Sequence, residues 1–117
     1  MVSIQNLKFS YGRQIVLNNI NLQLEPGKIY GLLGQNGVGK TTLLKIISGF
    51  LKVKKGECTV NGFYPFDRCP LFLEDVFFVP EDFIAPDTIV NDYARLRGEF
   101  YPKYDSNKFG RLMTDFE

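Results

Sequence analysis

Apolar and polar residues alternate in two segments of the first two dozen positions, a period of two that predicts a pair of half-buried strands. In Val2 to Tyr11 the apolar positions are Val2 and Ile4, then Leu7, Phe9 and Tyr11; the change of phase at Gln5-Asn6 signals a bulge. Ile20, Leu22 and Leu24 alternate with Asn19, Asn21, Gln23 and Glu25, and Tyr11 to Gln14 supplies the turn between the two strands. After the turn signal Glu25-Pro26-Gly27, the apolar run from Ile29 to Leu33 predicts a short buried strand leading into a glycine-rich loop. From Gly39 onward Leu43, Leu44, Ile47, Phe50 and Leu51 follow helical spacing, with Gly49 near the C-terminal end. Gly56 to Val60 and Asp75 to Val79 read as further strands, bounded by Asn61-Gly62 and by Pro80. Ile89, Tyr93, Leu96 and Phe100 then share one face of a helix beginning near Asp87 or Thr88. A second helix, after Pro102, presents Phe109, Leu112, Met113 and Phe116. Most of Phe63 to Phe66, Leu71 to Leu73 and Phe83 reads as core.

The bulk numbers narrow the class without naming a function. A chain of 117 residues is the size of one ordinary domain. Its 44% hydrophobic and 23% charged content fits a soluble globular protein, and a net charge of +1 gives no general drive toward nucleic acid or an anionic membrane. Cys58 and Cys69 are too far apart for a CxxC pair, and with no histidine in the chain they read as reduced thiols. The polar residues Ser3, Gln5, Asn6 and Lys8 break up the start, so no secretory signal is expected. Apolar stretches fall far short of the roughly 20 residues that cross a bilayer, so any membrane connection is expected to run through another protein. Lys52, Lys54 and Lys55 read as a solvated turn, with too few bases around them for a nucleic-acid patch.

Candidate chemistry sits in one place. Gly34-Gln35-Asn36-Gly37-Val38-Gly39-Lys40-Thr41 satisfies GxxxxGK[ST], a pattern in which each fixed position has a physical task. Glycines let successive N–H groups converge on phosphate oxygens with no side chain between them. The helix that follows adds unpaired amides and the positive end of its dipole. Lys40 is expected to reach the β- and γ-phosphates, Thr41 to offer its hydroxyl oxygen to Mg²⁺, and Thr42 to contact the α-phosphate.

These residues, together with Leu7 to Gly12, Val16 to Leu22 and Gly31 to Leu44, closely resemble the nucleotide-binding domain of ABC ATPases, from Val2 onward along nearly the whole chain. Asn36 and the doubled Thr41-Thr42 are similar to this family rather than to a kinase or small GTPase. The resemblance implies an α/β fold of the P-loop NTPase, ABC type, with an N-terminal antiparallel β-subdomain and the start of a helical subdomain. The expected division is residues 1–80 for the β-subdomain and P-loop core and 81–117 for the beginning of the helical part. By the same resemblance ATP and Mg²⁺ are the cofactors, Tyr11 stacks on adenine, and Val16 packs beside the base or ribose. Glu81, in Phe77 to Asp82, takes the place where the family usually has a glutamine sensing Mg²⁺ and attacking water, as in some exporters of the family. A carboxylate there can still bind the metal but cannot donate as an amide does. Aromatics between these landmarks are candidates for the groove that, in transporter relatives, receives a cytoplasmic helix of the membrane subunit.

The resemblance therefore implies ATP hydrolysis by a dimer of such domains powering a transmembrane permease, an exporter by the Glu81 position, from the inner face of the cell membrane. Two alternatives stand beside it: a soluble ABC protein acting on ribosomes or DNA, and a nucleotide-binding fragment without turnover. The acidic Walker B strand end, the signature motif and the switch histidine of the family do not occur in the sequence, so the domain reads as incomplete and poor in turnover on its own.

Overall fold

The computed structural model describes residues 1–84 and 86–116 and resolves into two compact units, Met1–Phe78 and Val79–Glu117. Strands β1 (Val2–Tyr11) and β2 (Gln14–Leu24) form an antiparallel pair whose register runs from Val2 opposite Leu24 to Tyr11 opposite Gln14. A third strand, β3 (Lys55–Val60), pairs antiparallel with the other edge of β1, giving the order β2-β1-β3. The bulge expected at Gln5-Asn6 is present. Register slips there against both neighbours, Asn6 adopts φ 50°, and its N–H donates to Asn21 Oδ1 at 2.8 Å. One extra residue turns the apolar side chains on each side of it to the same face, so Ile4 and Leu7 are both buried.

Helix α1 (Lys40–Ile47) packs on that face. Its Leu43 and Ile46 close a core with Ile4, Leu7, Leu17 and Cys58, each fully buried Leu or Ile contributing about 1.5–3 kcal/mol. The helix stops in a Schellman arrangement: Gly49 N–H donates to the Ile46 carbonyl at 3.1 Å and Phe50 N–H to that of Lys45 at 2.8 Å. Gly49 holds φ 77°, and a Cβ there would lie 2.3 Å from the Pro65 carbonyl oxygen, so both the turn and the close approach demand glycine. After β3 come a 3₁₀ turn at Pro65–Asp67 and the single-turn helix α2 (Pro70–Leu73), which buries Phe72.

Two apolar runs behave differently from their sequence reading. Neither Ile29–Leu33 nor Asp75–Val79 joins a ladder among the described residues, and Ile29 and Leu33 are 103% and 93% exposed. A strand exists only by hydrogen bonding to a neighbour, and β1 is already paired on both edges. Pro65 and Phe72 alone of the 63–66, 71–73 and 83 positions are buried, while Tyr64, Phe66, Leu71 and Phe83 are exposed.

In the second unit α3 (Val90–Gly98) starts two to three residues later than expected, because the Thr88 amide is taken by the Pro86 carbonyl and Ile89 becomes the N-cap. Helix α4 (Ser106–Asp115) follows. Buried Gly98 lies against the Tyr104 ring, and Tyr104 meets Phe109 with centroids 6.2 Å apart. Tyr93 meets Phe83 edge-on with centroids 6.3 Å apart, and the rest of the two apolar faces is largely open: Ile89, Leu96, Phe100, Leu112 and Phe116 are all exposed.

Candidate functional site

The glycine-rich loop and the first turn of α1 form a concentrated donor surface. Gly39, the N-cap, sits in the left-handed region at φ 101° and brings no side-chain cap. Its missing Cβ is required twice over, since one placed there would lie 2.8 Å from Val16 Cγ1 and 2.9 Å from Leu17 Cδ2. The strand β2 thus supports the loop from beneath, and only glycine lets the chain turn that closely over it. With no capping side chain, the amides of Lys40, Thr41 and Thr42 donate to no protein acceptor among the described residues. The first amide of the helix to be satisfied is that of Leu43, bonded to the Gly39 carbonyl at 2.9 Å.

Lys40 completes the surface. Its ammonium folds back over the loop and donates to the Gly34 and Gln35 carbonyls, each at 2.7 Å. Two charge-assisted bonds hold a cation directly over the bend formed by Gly34, Gln35, Asn36, Gly37 and Val38. The unpaired amides, the helix dipole and a fixed ammonium all favour negative charge at one point. A phosphate chain fits this donor set, which offers hydrogens and positive charge and no acidic side chain. Thr41 is exposed beside it, a hydroxyl oxygen available to a hard cation, whereas Thr42 is buried.

Tyr11, at the end of β1, is brought to the same place. Its hydroxyl oxygen lies 3.5 Å from Thr42 Oγ1, and its ring meets Phe9 nearly perpendicularly, 81° between planes and 5.0 Å between centroids. Tyr11 remains 49% exposed. Val16 is in the constellation through its contact beneath Gly39. Phe9 and Leu17 went unassigned in the sequence. Phe9 is two residues from Tyr11 on the same strand face, so the strand alternation was the signal that could have found it. Glu81 is exposed and belongs to the second unit, Val79–Glu117.

A sheet and helix joined by an empty-capped, lysine-bearing glycine loop define a P-loop nucleotide-binding protein. The comparisons with known proteins are narrower. A family model described as ABC transporter matches residues 17–115, and the chain belongs to that family. It is 45% identical over 62 residues to the lantibiotic transport ATP-binding protein SrtF of Streptococcus pyogenes, an alignment covering 53% of this chain and 27% of that protein. Against the ribose import ATP-binding protein RbsA of Bacillus subtilis it is 31% identical over 116 residues, 97% of this chain and 22% of the relative. Among solved structures, a putative ABC transporter ATP-binding protein from Pyrococcus furiosus matches with a TM-score of 0.79 and 35% identity, over 99% of this chain and 56% of that one. The matched segments thus cover only about a quarter of the length of these curated relatives. The fold is that of the ABC-type P-loop NTPases, with the antiparallel β-subdomain at the N-terminus. No helix among the described residues is long and apolar enough to cross a membrane.

Proposed function

We propose that this chain binds the triphosphate of ATP at residues 34–42 and that the whole protein hydrolyses ATP to drive a membrane transporter. The observation that carries the reading is the set of three unpaired helix amides together with a Lys40 ammonium held on the carbonyls of the same loop. An incoming phosphate replaces the Gly34 and Gln35 carbonyls as the partner of Lys40, exchanging two neutral acceptors for a charged one. Thr41 would hold Mg²⁺, which supplies charge neutralisation between the phosphates when bound; Glu81 is a second candidate for that ion. Tyr11 presents its open ring to the base, and Val16 keeps the loop at the height where ring and amides serve one ligand.

The family membership and the transport functions in the relatives' names favour a transporter over the ribosome- or DNA-directed reading. Its partners would be a transmembrane permease and a second nucleotide-binding domain, at the cytoplasmic side of the membrane. Export rests on Glu81 alone. The chain as it stands would bind nucleotide with little turnover, since its sequence holds no second acid positioned after an apolar strand to orient water.

Titrating the full chain with a fluorescent ATP analogue in magnesium buffer tests the site. Saturable binding that Lys40→Ala abolishes and Lys54→Ala leaves intact is the expected result; equal affinities for the two variants would remove the assignment. Appreciable phosphate release by the chain alone would contradict the turnover part of the proposal while leaving the binding part standing.

A further inference from the structure

A second concavity lies in the first unit, outside the glycine-rich loop and between the end of α1, β3 and the Pro65–Asp67 turn. It has a volume of about 540 Å³, within the range of small-molecule sites. Its floor is apolar, made by Ile46, Leu51, Val53 and the buried Cys58. Burial pushes the Cys58 thiol up to about 11, so the floor carries no charge at neutral pH. The rim is aromatic and acidic. Tyr64 and Phe66 are half exposed there, and the Tyr64 hydroxyl donates to Glu57 Oε1 at 2.8 Å. Asp67 adds a second carboxylate, and the Tyr64 phenol is held above its ordinary value chiefly by the hydrogen bond to Glu57 and that carboxylate's charge, with desolvation and Asp67 as smaller causes.

The Lys52 ammonium of the same chain stands over the Phe66 ring, 5.6 Å from its centroid. An alkylammonium on a four-carbon stem is therefore already held against the wall of this cavity by the ring quadrupole. Lys52 is exposed and makes no ion pair among the described residues, so nothing else fixes it there.

We propose that the cavity binds small amphipathic organic cations, an ammonium head at the Phe66, Glu57 and Asp67 rim with its apolar body on the Ile46, Leu51, Val53 and Cys58 floor, in competition with the chain's own Lys52. The site is independent of the nucleotide reading. Lys52 acts as an internal stand-in, so an external cation must displace it, and removing it must strengthen binding.

The test is an NMR titration of the full chain with phenethylammonium, with neutral 2-phenylethanol and anionic phenylacetate as controls. A probe of this size should bind with a Kd on the order of 1 mM, shifting the amides of Glu57, Cys58, Tyr64 and Phe66. The cation should bind about fivefold tighter than the alcohol, and Phe66→Leu or the pair Glu57→Gln, Asp67→Asn should erase that advantage without altering the alcohol's affinity. Lys52→Ala should tighten the cation about threefold, a gain that a merely structural lysine would not produce. All four positions are exposed, so the variants keep the core and their amide spectra report it directly. Absence of saturable binding, anion and cation bound alike, or an unchanged or weaker affinity in Lys52→Ala would each overturn the proposal.

Discussion

Helices α1 and α4 begin in opposite ways. At α4 the Asp105 carboxylate accepts from the Asn107 and Lys108 amides at 2.9 and 3.0 Å, the usual side-chain answer to the unpaired donors of a first turn. At α1 the cap is Gly39, and the corresponding donors stay open under a lysine. Capping stabilises a helix; leaving the cap off reserves its donors for something else. The packing is inverted as well, because the uncapped α1 buries Thr42, Leu43 and Ile46 whereas the capped α4 buries none of its residues. Tertiary contact thus stabilises the helix that forgoes a local cap, and a local cap stabilises the one with an open face.

The largest expected effect comes from removing the charge at the open end. Lys40→Ala should lower ATP affinity about 100-fold or more, since charge-assisted bonds to phosphate are each worth about 1.5–3 kcal/mol. Gly39→Ala should do comparable harm by a different route, forcing a side chain into the left-handed region and into Val16 and Leu17. It should also lower the unfolding temperature, whereas Lys40→Ala should not; thermal melts of the two separate them.

Next in size is Tyr11→Leu, expected to cost about tenfold in ATP affinity through lost stacking, with tripolyphosphate bound as before. A calorimetric comparison of the two ligands shows whether base and phosphates are read separately. Asp105→Ala should cost α4 about 1 kcal/mol and leave ATP affinity untouched. Faster hydrogen exchange at Asn107 and Lys108, with none at Thr41 or Thr42, is its signature. If the variant weakens ATP binding, the contrast between the two helices fails.

The smallest effect at neutral pH concerns Cys58. Its folded value of about 11 lies above the ordinary 9.0 because burial disfavours the thiolate. Its contribution to stability is therefore complete below pH 9.0 and lost as pH rises through about 11. Denaturant midpoints followed across that window should fall more steeply for the natural chain than for Cys58→Ala, with parallel curves below it.

Much of the first unit was legible because its elements satisfy each other locally. The alternation from Ile20 to Leu24, the slip at Asn6 and the Gly49 stop all state their geometry in a few adjacent residues. The loop was legible for the same reason: eight consecutive residues contain the glycines, the lysine and the hydroxyl. Ile29–Leu33 was misread as paired because an apolar run specifies a strand only where another strand is at hand. The periodic faces of α3 and α4 were recognised, but periodicity says which residues share a side and not whether anything covers them. Val16 shows another limit. Its contact beneath Gly39 joins residues 23 positions apart through a glycine's missing side chain, which no linear pattern records. The Lys52 and Phe66 pair is hidden likewise, since in the sequence Lys52 reads as part of a solvated turn and Phe66 falls in a run read mostly as core.

Following backbone amides while magnesium tripolyphosphate is added to the full chain tests the open-cap account most directly. The amides of Lys40, Thr41 and Thr42 should move and saturate together, while those of Asn107 and Lys108, already held by Asp105, stay in place. Equal movement at both helix starts, or none at the first, would contradict it.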